Sequence, residues 1–105
     1  MAKNRSFHDY LLYDVFREIP GITTKSMFSG WGIYLDRKIF GLIIDGELYF
    51  KLGKHKQKDF QQLGSHPFTY IRQGKEVALS YWTLPEEILN DPDLLLEWIN
   101  TSIGE

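Results

Sequence analysis

The residues of this chain that could carry chemistry are three histidines, two acidic pairs and a glycine-rich segment. His8, His55 and His66 lie far apart in the sequence, without the i, i+4 or acid-rich spacing typical of metal ligands. No run of residues places a nucleophile beside its base. The sequence therefore predicts no catalytic residue and no metal site.

The acidic pairs have a structural explanation. Glu86 and Glu87 follow a proline, and Asp91 and Asp93 flank another, which is typical of the first turn of a helix. Negative charge at that position complements the backbone dipole of the helix. We interpret both pairs as helix-capping residues.

Gly30-Trp31-Gly32 resembles part of a nucleotide-binding loop. The pattern after it predicts a strand, so the helix N-terminus that would hold a phosphate is missing, and we predict no cofactor. One alternative stays open, which is a small-ligand-binding or catalytic domain with its pocket beside these glycines. Tyr34 or Tyr70 would then supply polar contacts.

The elements that position these residues are clearest over residues 27–52, where apolar residues alternate with small or polar ones through three strand-length runs. Asp45-Gly46 is a preferred pair for a two-residue type I′ turn, because both residues tolerate positive φ. A second turn is predicted at Asp36-Arg37. The segment is therefore predicted to be an antiparallel β-meander.

Helices are predicted before and after this meander, over residues 6–19, 54–63 and in two closing segments that begin near prolines. A second hairpin spans residues 68–82 and turns at Gln73-Gly74. We predict an α+β fold in which helices pack on an antiparallel sheet in two layers, as one domain over residues 1–105.

Charge and composition limit the partners. Twelve Lys and Arg against fourteen Asp and Glu leave no basic surplus, and no recognition-helix motif is evident, so we expect no direct sequence-specific DNA binding. Basic residues between Lys51 and Lys58 favour a solvated helix face, with an anionic partner as the alternative. Without cysteines, a leader sequence or a long apolar run, we expect a cytoplasmic location and no membrane contact.

Strand register predicts that both faces of the meander are apolar, one of them lined by glycines. The other face is predicted to carry five large side chains: Trp31, Ile33, Phe40, Leu42 and Tyr49. An antiparallel sheet ordinarily leaves one face in water, so this second apolar face needs a cover. The hypotheses are coverage by the chain's own remaining segments, or a protein interface, most simply a symmetric homodimer.

Longer strings of residues carry a family resemblance. MFSGWGIYLD, IFGLIIDGELYFKL and PFTYIRQGKEVALSYWTLPEEILNDPDLLLEW together resemble the N-terminal domain of the TfoX/Sxy family, in order and over nearly the whole chain. The family's Met-Phe-Gly-Gly-aromatic-Gly motif falls on six consecutive positions: Met27, Phe28, Ser29, Gly30, Trp31 and Gly32. Ser29 departs from the usual glycine.

The resemblance implies an antiparallel sheet with helices packed on it, similar to the secretion-chaperone type of fold. It also implies a link to the regulation of natural competence and DNA-uptake genes, without an enzyme mechanism or catalytic residues. The chain is similar to the first half of the family's longer regulators. We therefore predict a regulatory protein, not an enzyme, that acts by contact with another regulatory protein or with itself.

Overall fold

The computed structural model describes residues 5–27 and 30–104, which form one antiparallel sheet with helices. The six strands are β1 (Ile22–Met27), β2 (Gly30–Leu35), β3 (Lys38–Ile44), β4 (Glu47–Lys51), β5 (Pro67–Arg72) and β6 (Lys75–Thr83). The helices are α1 (Arg5–Tyr10), a π-helix (Leu11–Val15), α2 (Lys54–Gln62), α3 (Glu86–Leu89) and α4 (Pro92–Ile103). The predicted α+β class is confirmed.

The strands follow the order β1-β2-β3-β4-β6-β5, and each neighbouring pair is antiparallel. The predicted meander is therefore present as β2 to β4, with β1 added at one edge. The second hairpin joins through β6, which places β5 at the other edge.

Three two-residue turns join these strands, and all three occur where the sequence predicts them. A type I′ turn needs positive φ at both central residues. Both central residues have it in each turn: Asp36 (49°) and Arg37 (72°), Asp45 (52°) and Gly46 (75°), Gln73 (52°) and Gly74 (77°).

The predicted register of the β3–β4 hairpin is confirmed. Leu42 lies opposite Tyr49, and Gly41 lies opposite Phe50. The tight turn fixes this pairing, because a loop of defined length leaves only one alignment of the two strands.

The register across β2 and β3 contains a β-bulge that the sequence pattern did not indicate. Ile33 lies opposite Gly41 and Tyr34 lies opposite Ile39, so Phe40 is an extra residue in β3. A bulge interrupts the alternation of side chains between the two faces. With unbroken alternation, Phe40 would share a face with Leu42 and Ile44. Because of the bulge, Phe40 points to the other face, which it shares with Ile43.

The helices pack on one face of the sheet, which we call the helix-covered face. The sheet contributes these buried side chains to it: Trp31, Ile33, Phe40, Ile43, Leu48 and Phe50. The helices and the residue that ends the π-helix contribute these: Leu11, Phe16, Phe60, Ile88, Leu95 and Ile99. The ring of Phe40 makes edge contacts with Phe16 at 6.0 Å and Phe50 at 5.3 Å between centroids. Among the described residues, this is the larger of two buried apolar clusters, and it lies between the two layers of the fold.

Candidate interaction surface

The opposite side of the sheet, which we call the helix-free face, carries a second apolar cluster. Its buried side chains are Leu42, Ile44 and Tyr49. Four half-buried side chains pack around them: Met27, Ile39, Phe68 and Tyr81. In the described part of the chain, no helical residue belongs to this cluster. The strands themselves supply all of its cover.

Aromatic packing and burial affect two tyrosines on this face, although no helix among the described residues lies on it. The rings of Tyr49 and Phe68 meet edge to face with centroids 5.5 Å apart. Burial raises the pKa of the Tyr49 phenol above 10.0, and the nearby charges of Glu47 and Asp45 raise it further. The pKa of Tyr81 is likewise raised, first by burial and then by Tyr34.

The two glycines of the family motif permit close packing, Gly30 against the backbone of the neighbouring strand and Gly32 against side chains of this cluster. A Cβ atom on Gly30 would overlap the backbone carbonyl oxygen of Ile43. On Gly32 it would lie 2.8 Å from the Met27 Cε and 3.2 Å from the Ile39 Cδ1. The glycines therefore serve packing within a strand, and the strand that the sequence predicts after them is present as β2.

The structure does not bring the five predicted surface residues onto one face. Trp31, Ile33 and Phe40 lie in the core beneath the helices. Leu42 and Tyr49 belong to the cluster on the helix-free face. The predicted surface is corrected accordingly, and the bulge at Phe40 is the physical reason, since the prediction assumed unbroken alternation.

Trp31 also contacts a polar cluster that sequence reasoning missed. The imidazole of His8 is 4% exposed and lies 4.5 Å from the Trp31 ring between centroids. Its Nδ1 lies 2.9 Å from the Asp9 carboxylate, and its Nε2 lies 2.9 Å from the Thr24 hydroxyl. The Arg5 guanidinium lies 6.0 Å from the Trp31 ring. With the proton on Nδ1, the ring donates to the carboxylate and accepts from the hydroxyl.

The order of carboxylate, imidazole and hydroxyl in this cluster is also found in hydrolase triads. Here the imidazole is covered by Trp31, and its contacts join α1 to β1 and β2. We therefore interpret His8 as an anchor for α1. No sequence signal identifies it, because Thr24 lies sixteen residues away along the chain.

Two cavities among residues 5–27 and 30–104 bear on the hypothesis of a pocket beside Gly30 and Gly32, which stays a prediction. A shallow depression of about 300 Å³ is lined by Thr23, Thr24, Lys25, Tyr34 and Arg37. Tyr34 is thus near a depression, but neither glycine lines it. A groove of about 440 Å³ runs between the π-helix and α4. Within residues 5–27 and 30–104, no group of three acids or histidines is placed to hold a metal ion.

Several charged residues lie at or near helices, and Glu86 and Glu87 occupy the first turn of α3 as predicted, without a side-chain hydrogen bond at its cap. The Asp91 carboxylate accepts hydrogen bonds from the backbone N–H groups of Asp93 and Leu94 at 3.1 and 3.2 Å, which confirms the predicted helix cap. In α2, the Lys56 ammonium lies 5.8 Å from the Trp98 ring. No helix among the described residues is long and apolar enough to cross a membrane.

Comparison with known proteins places this architecture in a family. The model of the TfoX N-terminal domain matches residues 14–105, and the chain belongs to that family. Among curated proteins, the DNA transformation protein TfoX1 of Aliivibrio fischeri (strain ATCC 700601 / ES114) is 23% identical over 91 residues. The match covers 87% of this chain and 44% of the relative, so the chain spans less than half of that protein.

The family match confirms the resemblance drawn from the sequence. Of the motif residues, Gly30, Trp31 and Gly32 lie in β2, while Phe28 and Ser29 lie outside the described residues. The matched region begins after α1, so the His8 cluster joins a segment before the family domain to the Trp31 of its motif.

Proposed function

We infer that this protein is a regulatory domain that acts by protein–protein contact in the control of natural competence and DNA uptake, through the transcription of the genes concerned. Membership of the TfoX N-terminal domain family supports this role, as does the similarity to a DNA transformation protein. The role involves no catalysis. Regulation is indirect, because the formal charge of −2 does not favour the phosphate contacts on which DNA affinity depends.

The observation that carries the proposal is the apolar cluster on the helix-free face. Met27, Ile39, Phe68 and Tyr81 are only half-buried there, and they surround the buried side chains of Leu42, Ile44 and Tyr49. Protein interfaces are enriched in aromatic residues and Met at their centres. A regulatory partner that covered this face would gain apolar burial without any rearrangement of the helices.

The test is a transformation assay in a bacterium that carries the gene. Deletion of the gene should lower both DNA uptake and the transcript levels of DNA-uptake genes, and the wild-type gene should restore them. An Ile39→Glu variant places a charge on the helix-free face and should fail to restore either. Leu96→Glu is the matched control, because Leu96 is an exposed side chain on α4, on the other side of the molecule.

Circular dichroism and thermal melts must first establish that both variants fold. A deletion strain with unchanged uptake and transcript levels would refute the regulatory role. A folded Ile39→Glu protein with full activity would instead refute the helix-free face as the contact surface.

A further inference from the structure

The β5–β6 hairpin extends beyond the rest of the sheet. β6 pairs with β4 only from Thr83 to Tyr81, which lies opposite Lys51, and one further bond joins the Leu52 N–H to the Ser80 carbonyl. Pairing between β5 and β6 continues well past this level. We call this extension, residues 69–78, the β5–β6 arm.

A bulge separates the arm from the sheet. Pro67 lies opposite Trp82 but Thr69 lies opposite Ala78, so three residues of β6 face Phe68 alone. Bulges of this kind bend a strand and increase its twist. The arm therefore leaves the sheet at Phe68, which itself packs on Tyr49 of the helix-free face.

The arm exposes apolar side chains that its own chain does not cover. Tyr70 is 37% exposed on one face of the arm, and Ile71 is 69% exposed on its other face, opposite Glu76. Isolated two-stranded hairpins are marginally stable in water, so an extended arm gains from a surface on which to pack. One face of the arm carries Tyr70 opposite Val77.

The same face of the arm ends in basic residues, since Arg72 pairs with Lys75 two residues beyond Tyr70. At the other end of the sheet, the β3–β4 turn carries the exposed acids Asp45 and Glu47. Within the described residues, none of these four charged side chains forms an ion pair. The two ends of the molecule therefore have opposite and unpaired charge.

Distances along the strands match these two charged ends. From the level at which Tyr81 lies opposite Lys51, the arm runs six residues to Lys75, or roughly 15 to 20 Å given the bulge. In the opposite direction, the strands run from Lys51 to Asp45 over about the same length. A twofold axis near Lys51 would therefore place each arm on the helix-free face of the other copy.

We propose that two copies of this chain form a homodimer in which the β5–β6 arm of each lies on the helix-free face of the other. Tyr70 and Val77 then pack on the apolar cluster, while Arg72 and Lys75 meet Asp45 and Glu47 of the second copy. This proposal rests on the protein–protein contact proposed above, and it identifies the partner at the helix-free face as a second copy of this chain. Charge complementarity fixes the direction of the arm and excludes the reversed arrangement.

The size of the contact sets its strength. Two strands of about six residues cover a flat footprint of about 20 by 10 Å. Two arms and the two faces beneath them together contribute about 800 Å², which is at the low end for specific interfaces. The dimer is therefore expected to dissociate in the micromolar range and not to be obligate.

Sedimentation velocity from about 1 to 300 µM measures this association. Wild type should shift from monomer to dimer, and added salt should weaken the dimer. The double variant Arg72→Glu and Lys75→Glu should raise the dissociation constant by about tenfold or more. Adding Glu47→Lys to it should restore part of the affinity. Lys54→Glu with Lys58→Glu is the matched control, since both lysines are exposed on α2, and it should change nothing.

Cross-linking gives an independent readout if a charge variant fails to fold. The chain has no cysteine, so Lys75→Cys and Glu47→Cys each introduce a single thiol. A short bismaleimide should yield cross-linked dimers when the two variants are mixed, and none with either alone. Each variant chain carries one thiol, so a linked pair must come from two copies. Within one chain the two positions lie about 30 Å apart, beyond the reach of a short linker.

A wild-type protein that remains monomeric to about 300 µM would overturn the proposal, as would charge variants that dimerise as tightly as wild type. The transformation assay separates this failure from that of the proposed function. If the wild-type protein is monomeric but Ile39→Glu still abolishes activity in that assay, the helix-free face is the regulatory surface and a different protein binds there.

Discussion

The two faces of the sheet are both apolar, but they are covered in different ways. On the helix-covered face, side chains from the helices close over Ile33 and Phe40 until neither has exposed surface. On the helix-free face, Tyr49 and its neighbours are covered only by other strand residues, and the rim of the cluster is half-buried. One face thus holds the larger core cluster, and the other holds a smaller cluster with a half-buried rim.

This difference separates the side chains that hold the fold together from those that a contact surface could use. The helix-covered face contains the larger cluster and carries most of the stability, because burial of apolar area is the dominant favourable term in folding. Substitutions on the helix-free face should therefore affect contacts more than folding. The following predictions test that separation between the two faces.

The largest effect is expected from a charge on the helix-covered face. Phe40→Glu would place a carboxylate between the rings of Phe16 and Phe50, with no charged partner nearby. We expect the domain to unfold, because the lost packing of the ring, about 3 to 5 kcal/mol, and the burial of a polar carboxyl group together approach the roughly 5 to 15 kcal/mol that stabilises a typical domain. Circular dichroism at 25 °C measures this.

Ile39→Glu is the matched control for this change, since Ile39 is the preceding residue and its side chain lies on the other face. It should remain folded, with a loss of about 1 to 3 kcal/mol in the free energy of unfolding. If Phe40→Glu and Ile39→Glu were equally unfolded, the two faces would not differ in their contribution to stability.

A smaller difference in stability is expected between substitutions at two adjacent isoleucines of β3. Ile43 is 2% exposed on the helix-covered face, and Ile44 is 7% exposed on the helix-free face. Ile43→Ala should lower the free energy of unfolding by about 3 to 5 kcal/mol, because helices and sheet enclose the cavity it leaves. Ile44→Ala should cost about 2 kcal/mol, since its open surroundings can relax. Urea denaturation measures both, and equal losses would contradict the difference.

The turns and the hairpin register could be predicted from the sequence, because they depend on local chemistry. Asp45-Gly46 and Gln73-Gly74 allow positive φ, and the turn length then aligns the strands. Strand alternation also predicted correctly that both faces of the meander are apolar. The family resemblance followed from the same segments.

The division of residues between the two faces could not be predicted, because one bulge reverses it. No residue type near Phe40 signals the extra position, which arises from how β2 and β3 pack together. The His8 cluster was missed for a related reason, since its contacts to Thr24 and Trp31 exist only after the chain has folded. Tertiary contacts, not local preferences, decide both features.

The next prediction concerns the attachment of α1 to the helix-covered face. Thr24→Val removes the hydroxyl that meets the His8 Nε2 and leaves this nearly buried nitrogen without a partner. The free energy of unfolding should fall by about 1 to 3 kcal/mol. Thr24→Ser keeps the hydroxyl and should recover most of the loss. Relative to wild type, Thr24→Val should speed amide hydrogen exchange more in α1 than in β3. An equal increase in both elements would contradict a local anchor.

The smallest effect is expected from the ionisation of Tyr49 on the helix-free face. Burial first, and then the charges of Glu47 and Asp45, raise its pKa above the 10.0 of an unfolded chain. The folded state therefore keeps its proton where the unfolded state loses it, so this stabilising contribution is complete below pH 10.0 and is lost as pH rises through the folded pKa. Tyr49→Phe should reduce the fall in stability between about pH 9 and 11, measured by urea denaturation. Tyr13→Phe should leave that fall unchanged, because Tyr13 is 70% exposed. If both variants follow the wild-type curve, Tyr49 is hydrated in solution, and the buried cluster on which the proposed contact surface depends is absent.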